Sequence, residues 1–475
     1  MTINDPLLEQ WVENWANQKG AAYFPEKYYF SVRTGRARAY FGLLPGQPIT
    51  ATIQQIIRQE NLVPLFHEYI HYVHEISTLV GNFSTGLSLI KKTLFSQFMD
   101  PRPESCEGTG ITGEGKELYR AMTSSLTLIN GSTERNCKIS NIRLANSKYF
   151  PLWVYENGSI ITDNFEIPLL YAEITRAGKK VTDEELSFGK FYIYEGLAYE
   201  LDRELNRQLK NRLSIDDEAR DTEYTVLRSV AKNIWPDVTR KTFLTIASLS
   251  LTYVDSGRMF IQELQNCKAR FESGESIYKA LEPLRKQTKE LLGINKSAFR
   301  DQMAEIIKVF EGRPRLLKAF SYICDQANKA YEIRTKKPSF EVDLIFAVKY
   351  NKLLDMVPVC DYMYEFTDKD AFNRDMIGTA SMDDDTSQAC KVLIAYSHYH
   401  ECHKEYSTTA LEAMMVKKGI GAPCPFYSVC NLNLRADHTE ICGATPWRIY
   451  EISAKTDKRY CWYGNAVMEY KGHTT

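Results

Sequence analysis

The residues best equipped for chemistry are His67-Glu68-Tyr69-Ile70-His71, an H-E-x-x-H pattern inside a helix-compatible run from Asn61 to Val80. Two histidines four apart lie one turn apart on the same helical face, so both imidazoles can reach one metal ion. Glu68, about 100° further round the helix, stands where it could take a proton from a water on that ion. The pattern points to a zinc hydrolase. The chain has only eight histidines, and three of them (His67, His71 and His74) crowd into this segment.

The surrounding helix explains why they need partners. His67, His71, His74, Glu75 and Thr78 share one face. Leu65, Phe66, Tyr69, Ile70, Val73, Ile76, Leu79 and Val80 cover most of the rest. A helix apolar around most of its girth is buried, and stranding a buried polar group costs roughly 1–3 kcal/mol. A metal at the imidazoles would meet that need.

Catalytic zinc takes three protein ligands and keeps one position for water. His74 is two turns from His67, roughly 10 Å along the axis, too far to share an ion on a straight helix. His74 and Glu75 therefore read as groups that orient the ligands or touch substrate. The stronger third ligand is Glu195, in the run Tyr194-Glu195-Gly196-Leu197-Ala198-Tyr199-Glu200. With Tyr199, Asp202 and Asn206 it lines one helical face beside an apolar stripe of Ile193, Tyr194, Leu197, Ala198, Leu201 and Leu205. Gly196 and Ala198 are small enough to let another helix approach. Glu75 and Glu200 are the alternative ligands; otherwise Glu200, Arg203 and Glu204 read as solvated charges.

HEYIH followed by EGLA resembles the gluzincin-type zinc metallopeptidases, in which a later helix supplies a glutamate within an E-G-x-A-like stretch. The resemblance spans these two short segments. It implies His67, His71 and Glu195 as ligands of one catalytic Zn2+, Glu68 as the base, and a protein or peptide substrate. The gap from His71 to Glu195 is longer than in most gluzincins, and Tyr199 stands where some carry an aspartate one turn after the ligand. A tyrosine or histidine often stabilises the oxyanion in this family. The candidates are Tyr199 and the group Tyr396, His398, His400 and His403, the latter read first as a surface cluster.

A second donor set lies in the tail. Cys424, Cys430, Cys442 and Cys461, with His438 between, occupy a segment rich in Gly, Pro and aromatics. Four soft ligands could hold a second, structural zinc; the alternative is a set of buried thiols acting as small hydrophobes.

The elements that must position these groups read as α+β, predominantly α-helical, with a zincin-like active-site helix, small β-hairpins and a Cys-rich C-terminal segment. Three regions are expected: 1–182 with hairpins and the histidine helix, 183–417 as a helical domain supplying the third ligand, and 418–475 as a Cys-rich subdomain. Helices are expected over 5–18, from Thr50 to Val80, and from a capping box at Thr182/Glu185 to about Leu213. Helical periodicity dominates to about residue 400, punctuated near Pro236, Gly257, Gly293, Pro314 and Pro338. Hairpins are expected for Tyr28–Val32 with Ala37–Leu43, and for Leu152–Tyr155 with Ile160–Ile161 around Asn157-Gly158. Residues 101–145 read as loop. Short strands are expected after 418, a helix N-terminus at Asp383-Asp384-Asp385, and a solvated helical surface over Lys279–Arg315.

Bulk composition narrows the partners. The 475 residues are 44% hydrophobic and 25% charged with net charge −1, which is ordinary for a globular chain and offers no general field for nucleic acid or anionic lipid. Thr242–Val254, the longest near-apolar stretch, is too short for a bilayer span and reads as a buried core helix. The first twenty residues lack a basic start followed by an apolar core, so the eleven cysteines read as reduced thiols in a cytoplasmic protein. Two other function classes stay open: a carboxylate-bridged di-iron oxidoreductase built on Glu68-x-x-His71, for which no second Glu-x-x-His exists in the sequence, and a non-catalytic interaction protein with a relic metal site.

Overall fold

The computed structural model describes residues 21–24, 29–33, 62–96, 98–156 (except 100, 101, 103, 104, 109, 135 and 136), 159–208, 222–347, 363–367, 374–378, 383–427 (except 405), 430, 436–456 and 461–472. They are predominantly helical. The expected helix over 5–18, the strand at Ala37–Leu43 and the start of the Thr50 helix lie outside them.

The histidine segment forms α1 (Leu62–Ser77), followed at once by α2 (Leu79–Ser96). The break has a local cause. Thr78 turns its hydroxyl back onto the His74 carbonyl at 2.7 Å and accepts from the Gly81 amide at 3.1 Å, a side-chain bond that competes with the helical ladder. Gly81 sits so close to the His74 and Glu75 carbonyls that a Cβ would collide with them. Next come α3 (Gly113–Asn130), β3 (Lys138–Leu144), β4 (Lys148–Glu156), β5 (Ser159–Ile167), β6 (Leu169–Arg176) and β7 (Lys179–Ser187). The expected loop over 101–145 is thus largely helix and strand. Its Gly, Ser and Thr are accommodated because α3 buries only Tyr119, Met122, Ser125 and Ile129. The expected pairing of Leu152–Tyr155 with Ile160–Ile161 is present in the antiparallel β4–β5 hairpin, with Glu156 opposite Ser159; Asn157 and Gly158 lie outside the described residues.

The capping box at Thr182/Glu185 is not formed. That stretch is β7, paired antiparallel with β6; the helix, α4 (Lys190–Gln208), starts eight residues later. Tertiary pairing with a neighbouring strand overrides the local signal. The helical body follows: α5 (Val226–Ile234), α6 (Arg240–Ser250), α7 (Ser256–Glu272), α8 (Ile277–Val309), α9 (Pro314–Lys336) and α10 (Phe340–Ala347). Pro236, Pro314 and Pro338 fall at boundaries as expected, and Gly257 lies in the first turn of α7, just after the break that follows α6, but Gly293 lies inside α8. A Cβ at Gly257 would strike the Phe188 carbonyl, so glycine there serves close packing rather than a turn. Every residue of α6 from Thr242 to Ser250 is buried, as expected of a core helix, and no helix among the described residues is long and apolar enough to cross a membrane.

Two strands interrupt the region expected to be helical, β8 (Met363–Thr367) and β9 (Arg374–Gly378). They complete a four-stranded sheet with β1 (Ala21–Phe24) and β2 (Tyr29–Arg33) in the order β1-β2-β8-β9. Here β2 pairs antiparallel with β1 upstream and runs parallel to β8. The other sheets, β3-β6-β7 and β4-β5, are antiparallel. The chain ends with α11 (Asp384–His403), capped by Asp383 accepting from the Thr386 amide at 2.6 Å, then α12 (Thr408–Lys418), α13 (Thr439–Ala444), α14 (Ile449–Thr456) and α15 (Trp462–Tyr470). Past residue 418 the described residues form short helices and turns where strands were expected. Buried side chains from Tyr69 to Tyr470 share one apolar cluster, and α1 packs in it against α4, α2 and α9.

Candidate metal centre

The α1–α4 contact brings the HEYIH face onto the Glu195 face. Gly196 makes the approach of α4 to its other neighbour close, since a Cβ there would run into the Leu227 side chain of α5. His67 Nε2 and His71 Nε2 are 3.0 Å apart. Glu195 Oε2 lies 3.5 Å from the first and 3.4 Å from the second. Ligands 2.0–2.1 Å from a tetrahedral zinc are separated by about 3.3 Å, so the three atoms form a triangle of the right edge. Among the described residues this trio is the group of three such donors drawn close enough for one ion. The two imidazoles keep 12% and 13% of their side-chain surface exposed, which leaves the open side reachable.

Asp202, one face with Glu195 and two turns on, completes the arrangement. Its Oδ2 is 2.9 Å from His67 Nδ1. A carboxylate can only accept, so Nδ1 carries a proton and Nε2 is the ring nitrogen turned to the triangle, where it can bind a metal once it holds no proton of its own. The acidic partner that Tyr199 fails to supply one turn after Glu195 is thus supplied one turn later. Burial by itself disfavours a charged His67, but the hydrogen bonds to Asp202 and Glu195 outweigh it and raise its pKa well above 6.5. Burial likewise works against ionised Glu195, yet the charge of His71 and the hydrogen bonds to His67 and His71 hold its carboxyl far below the usual range. A site that draws three basic or anionic donors together and favours positive charge at their centre fits a divalent cation.

The remaining candidates fall elsewhere. Glu68 is half-buried next to His67 and its charge acts on that ring. His74 is fully buried but turned away: Nε2 meets Glu341 Oε1 at 2.9 Å. Glu341 also accepts from Ser248 at 2.6 Å and from Arg334 at 3.2 Å, and Arg334 donates to Ser77 at 2.8 Å. Burial favours the neutral form of Glu341, but Arg334, His74 and Ser248 hold its pKa down to about 2. This network backs α1 and does not reach the triangle. Glu75 lies outside the triangle, buried in an ion pair with Lys190 at 2.8 Å and accepting from Thr85.

Glu200 and Glu204 are not solvated. Glu200 is wholly buried and pairs with Arg240 at 2.9 Å and Arg228 at 3.3 Å; Glu204 pairs with Arg207 and Arg240. Tyr199 stacks on Tyr224, with ring centres 5.3 Å apart. It is Tyr224, in a turn at Glu223–Thr225, that meets the His67 ring edge-on at 5.7 Å. Tyr396, His400 and His403 are buried in α11, not on the surface. His400 packs on Phe95 and Tyr119, His403 on Tyr399 and Trp447, and His398 bonds Tyr463. Two residues of the site, Asp202 and Tyr224, were thus without a role in the sequence reading. Asp202 was visible there as a face-mate of Glu195; Tyr224 carried no signal.

Comparisons with protein-family models, curated proteins and solved structures give no match, so this geometry stands by itself.

Proposed function

We propose that the chain is a zinc-dependent peptidase of the gluzincin type, with α1 as its zincin-like helix. The observation that carries the reading is the triangle of His67, His71 and Glu195, two of them in H-E-x-x-H and the third contributed by a separate helix. When bound, zinc would supply a Lewis acid that acidifies water and polarises a carbonyl. His67 and His71 would hold it through Nε2 and Glu195 through Oε2. Asp202 keeps the His67 proton on Nδ1, which fixes the ring and strengthens the ligand. Glu68 takes the proton of the attacking water and delivers it to the leaving nitrogen. Tyr224 closes one side of the His67 ring. The substrate is a protein, and a narrow one, because an unselective peptidase in the cytoplasm would be toxic.

Glu68→Gln tests this, with hydrolysis of a mixed peptide library followed by mass spectrometry and zinc measured in the same samples. Removal of a positioned base typically costs 10²–10⁴-fold, so hydrolysis should fall by about that factor with zinc retained. Equal hydrolysis by both proteins would contradict the assignment.

A further inference from the structure

Every cysteine after residue 403 faces one small cavity. Cys424, Cys430, Cys442 and Cys461 are spaced six, twelve and nineteen residues apart, yet all four line a single apolar pocket with Phe426 and Trp462 among its other walls. The backbone draws them together. The Cys424 amide donates to the Cys442 carbonyl at 2.8 Å and the Ala422 amide to the Ala444 carbonyl at 2.9 Å, which fastens the turn carrying Cys424 along α13. The Cys430 amide donates to the Phe426 carbonyl at 2.8 Å. Cys461 is the N-cap of α15 and its Sγ accepts from the Gly464 amide at 3.4 Å.

We propose that these four cysteines bind a second, structural zinc ion that ties the short helices α13 and α15 to the turn at 421–427. Four thiols from three segments, the turn carrying Cys424 and Cys430, α13 and the start of α15, gather round one void. The cavity, about 20 Å3, holds roughly one water-sized body, which suits one ion. A tetrahedral four-thiolate zinc has Zn–S near 2.3 Å and sulfur–sulfur edges of about 3.8 Å. No three of the four sulfurs lie as close together as the donors at His67, so an ion would have to draw them inward. Because no preformed site survives unfolding, such an ion contributes directly to stability.

The test is zinc content of the full-length chain and of His71→Ala, Cys424→Ser and Cys442→Ser variants. The wild type should hold two zinc ions per chain. Each cysteine variant should lose one and keep the ion at His67; His71→Ala should lose the other. X-ray absorption of zinc-loaded His71→Ala then reads the remaining ion directly and needs no cysteine variant to fold. A sulfur shell near 2.3 Å is expected. A shell of nitrogen and oxygen only, unchanged zinc in the cysteine variants, or iron with acid-labile sulfide in place of zinc would overturn the proposal. Failure at His71→Ala alone would bear on the peptidase reading and leave this one standing.

Discussion

Two helices each carry three closely spaced histidines, and they have opposite chemistry. On α1, His67, His71 and His74 face carboxylates from other elements: Glu195 and Asp202 on α4, and Glu341 on α10. On α11, His398, His400 and His403 face rings and a backbone carbonyl: Tyr463, Phe95, Tyr119, and the Tyr399 carbonyl at 2.9 Å from His403 Nδ1. Burial disfavours the charged imidazole on both. On α1 the Asp202 and Glu195 partners of His67 overcome it and raise the pKa, whereas at His74 burial prevails over the Glu341 partner and lowers it. On α11 burial wins, and His400 and His403 are pushed down to about 4. A histidine becomes a metal donor because of what packs opposite it, not because of the company it keeps along its own helix.

The comparison breaks first at the metal. His71→Ala should abolish zinc binding at the α1 site, whereas His403→Ala should leave it intact; isothermal titration of the metal-free proteins reads both. Equal loss in the two variants would erase the distinction between the helices.

Acid sharpens the contrast next. His400 and His403 have folded pKa values depressed below their unfolded value of 6.5, so the unfolded chain binds more protons between pH 6.5 and 4. Their contribution is fully present above pH 6.5 and is lost as pH falls toward 4. The groups facing them do not reverse this. Glu401 raises and Lys91 and Lys92 lower the His400 value, while Glu412 raises and Arg448 lowers that of His403. Shifts of this size are worth about 3 kcal/mol each. Guanidinium unfolding midpoints should drop across that window, and His400→Phe with His403→Phe should flatten the drop. An unchanged slope in the double variant would mean that these rings are protonated in the fold.

The smallest effect is at Asp202. Asp202→Asn keeps the shape but no longer forces the His67 proton onto Nδ1, so zinc affinity should fall by about 10–100-fold. Unaltered affinity would mean that the carboxylate does not orient the ligand.

What the sequence made legible follows from periodicity. The pairing of His67 with His71, and the sharing of one face by Glu195 and Asp202, are properties of a single helix and need no knowledge of packing. The contacts between helices are not legible in that way. His74 finds Glu341 across 267 residues, and Glu200 pairs with Arg228 and Arg240, which belong to α5 and α6. The same limit misplaced β7, whose Thr182 and Glu185 fit a capping box locally while their backbone is taken up by β6. It also hid β8 and β9, which exist by pairing with each other and with the N-terminal β2. In the tail the cysteines are legible from the sequence and the form is not. Its short helices are held by side-chain caps such as Cys461 and by the cross-links from 422–424 to 442–444, none of which has a periodic signature.

The most direct test is diffraction from zinc-soaked crystals of the full chain, recorded on both sides of the zinc absorption edge. An anomalous peak about 2 Å from His67 Nε2, His71 Nε2 and Glu195 Oε2 is the expected result. A map with no peak between those three atoms, in crystals where the rings and the carboxylate are ordered, would contradict the claim that α1 and α4 grip one ion.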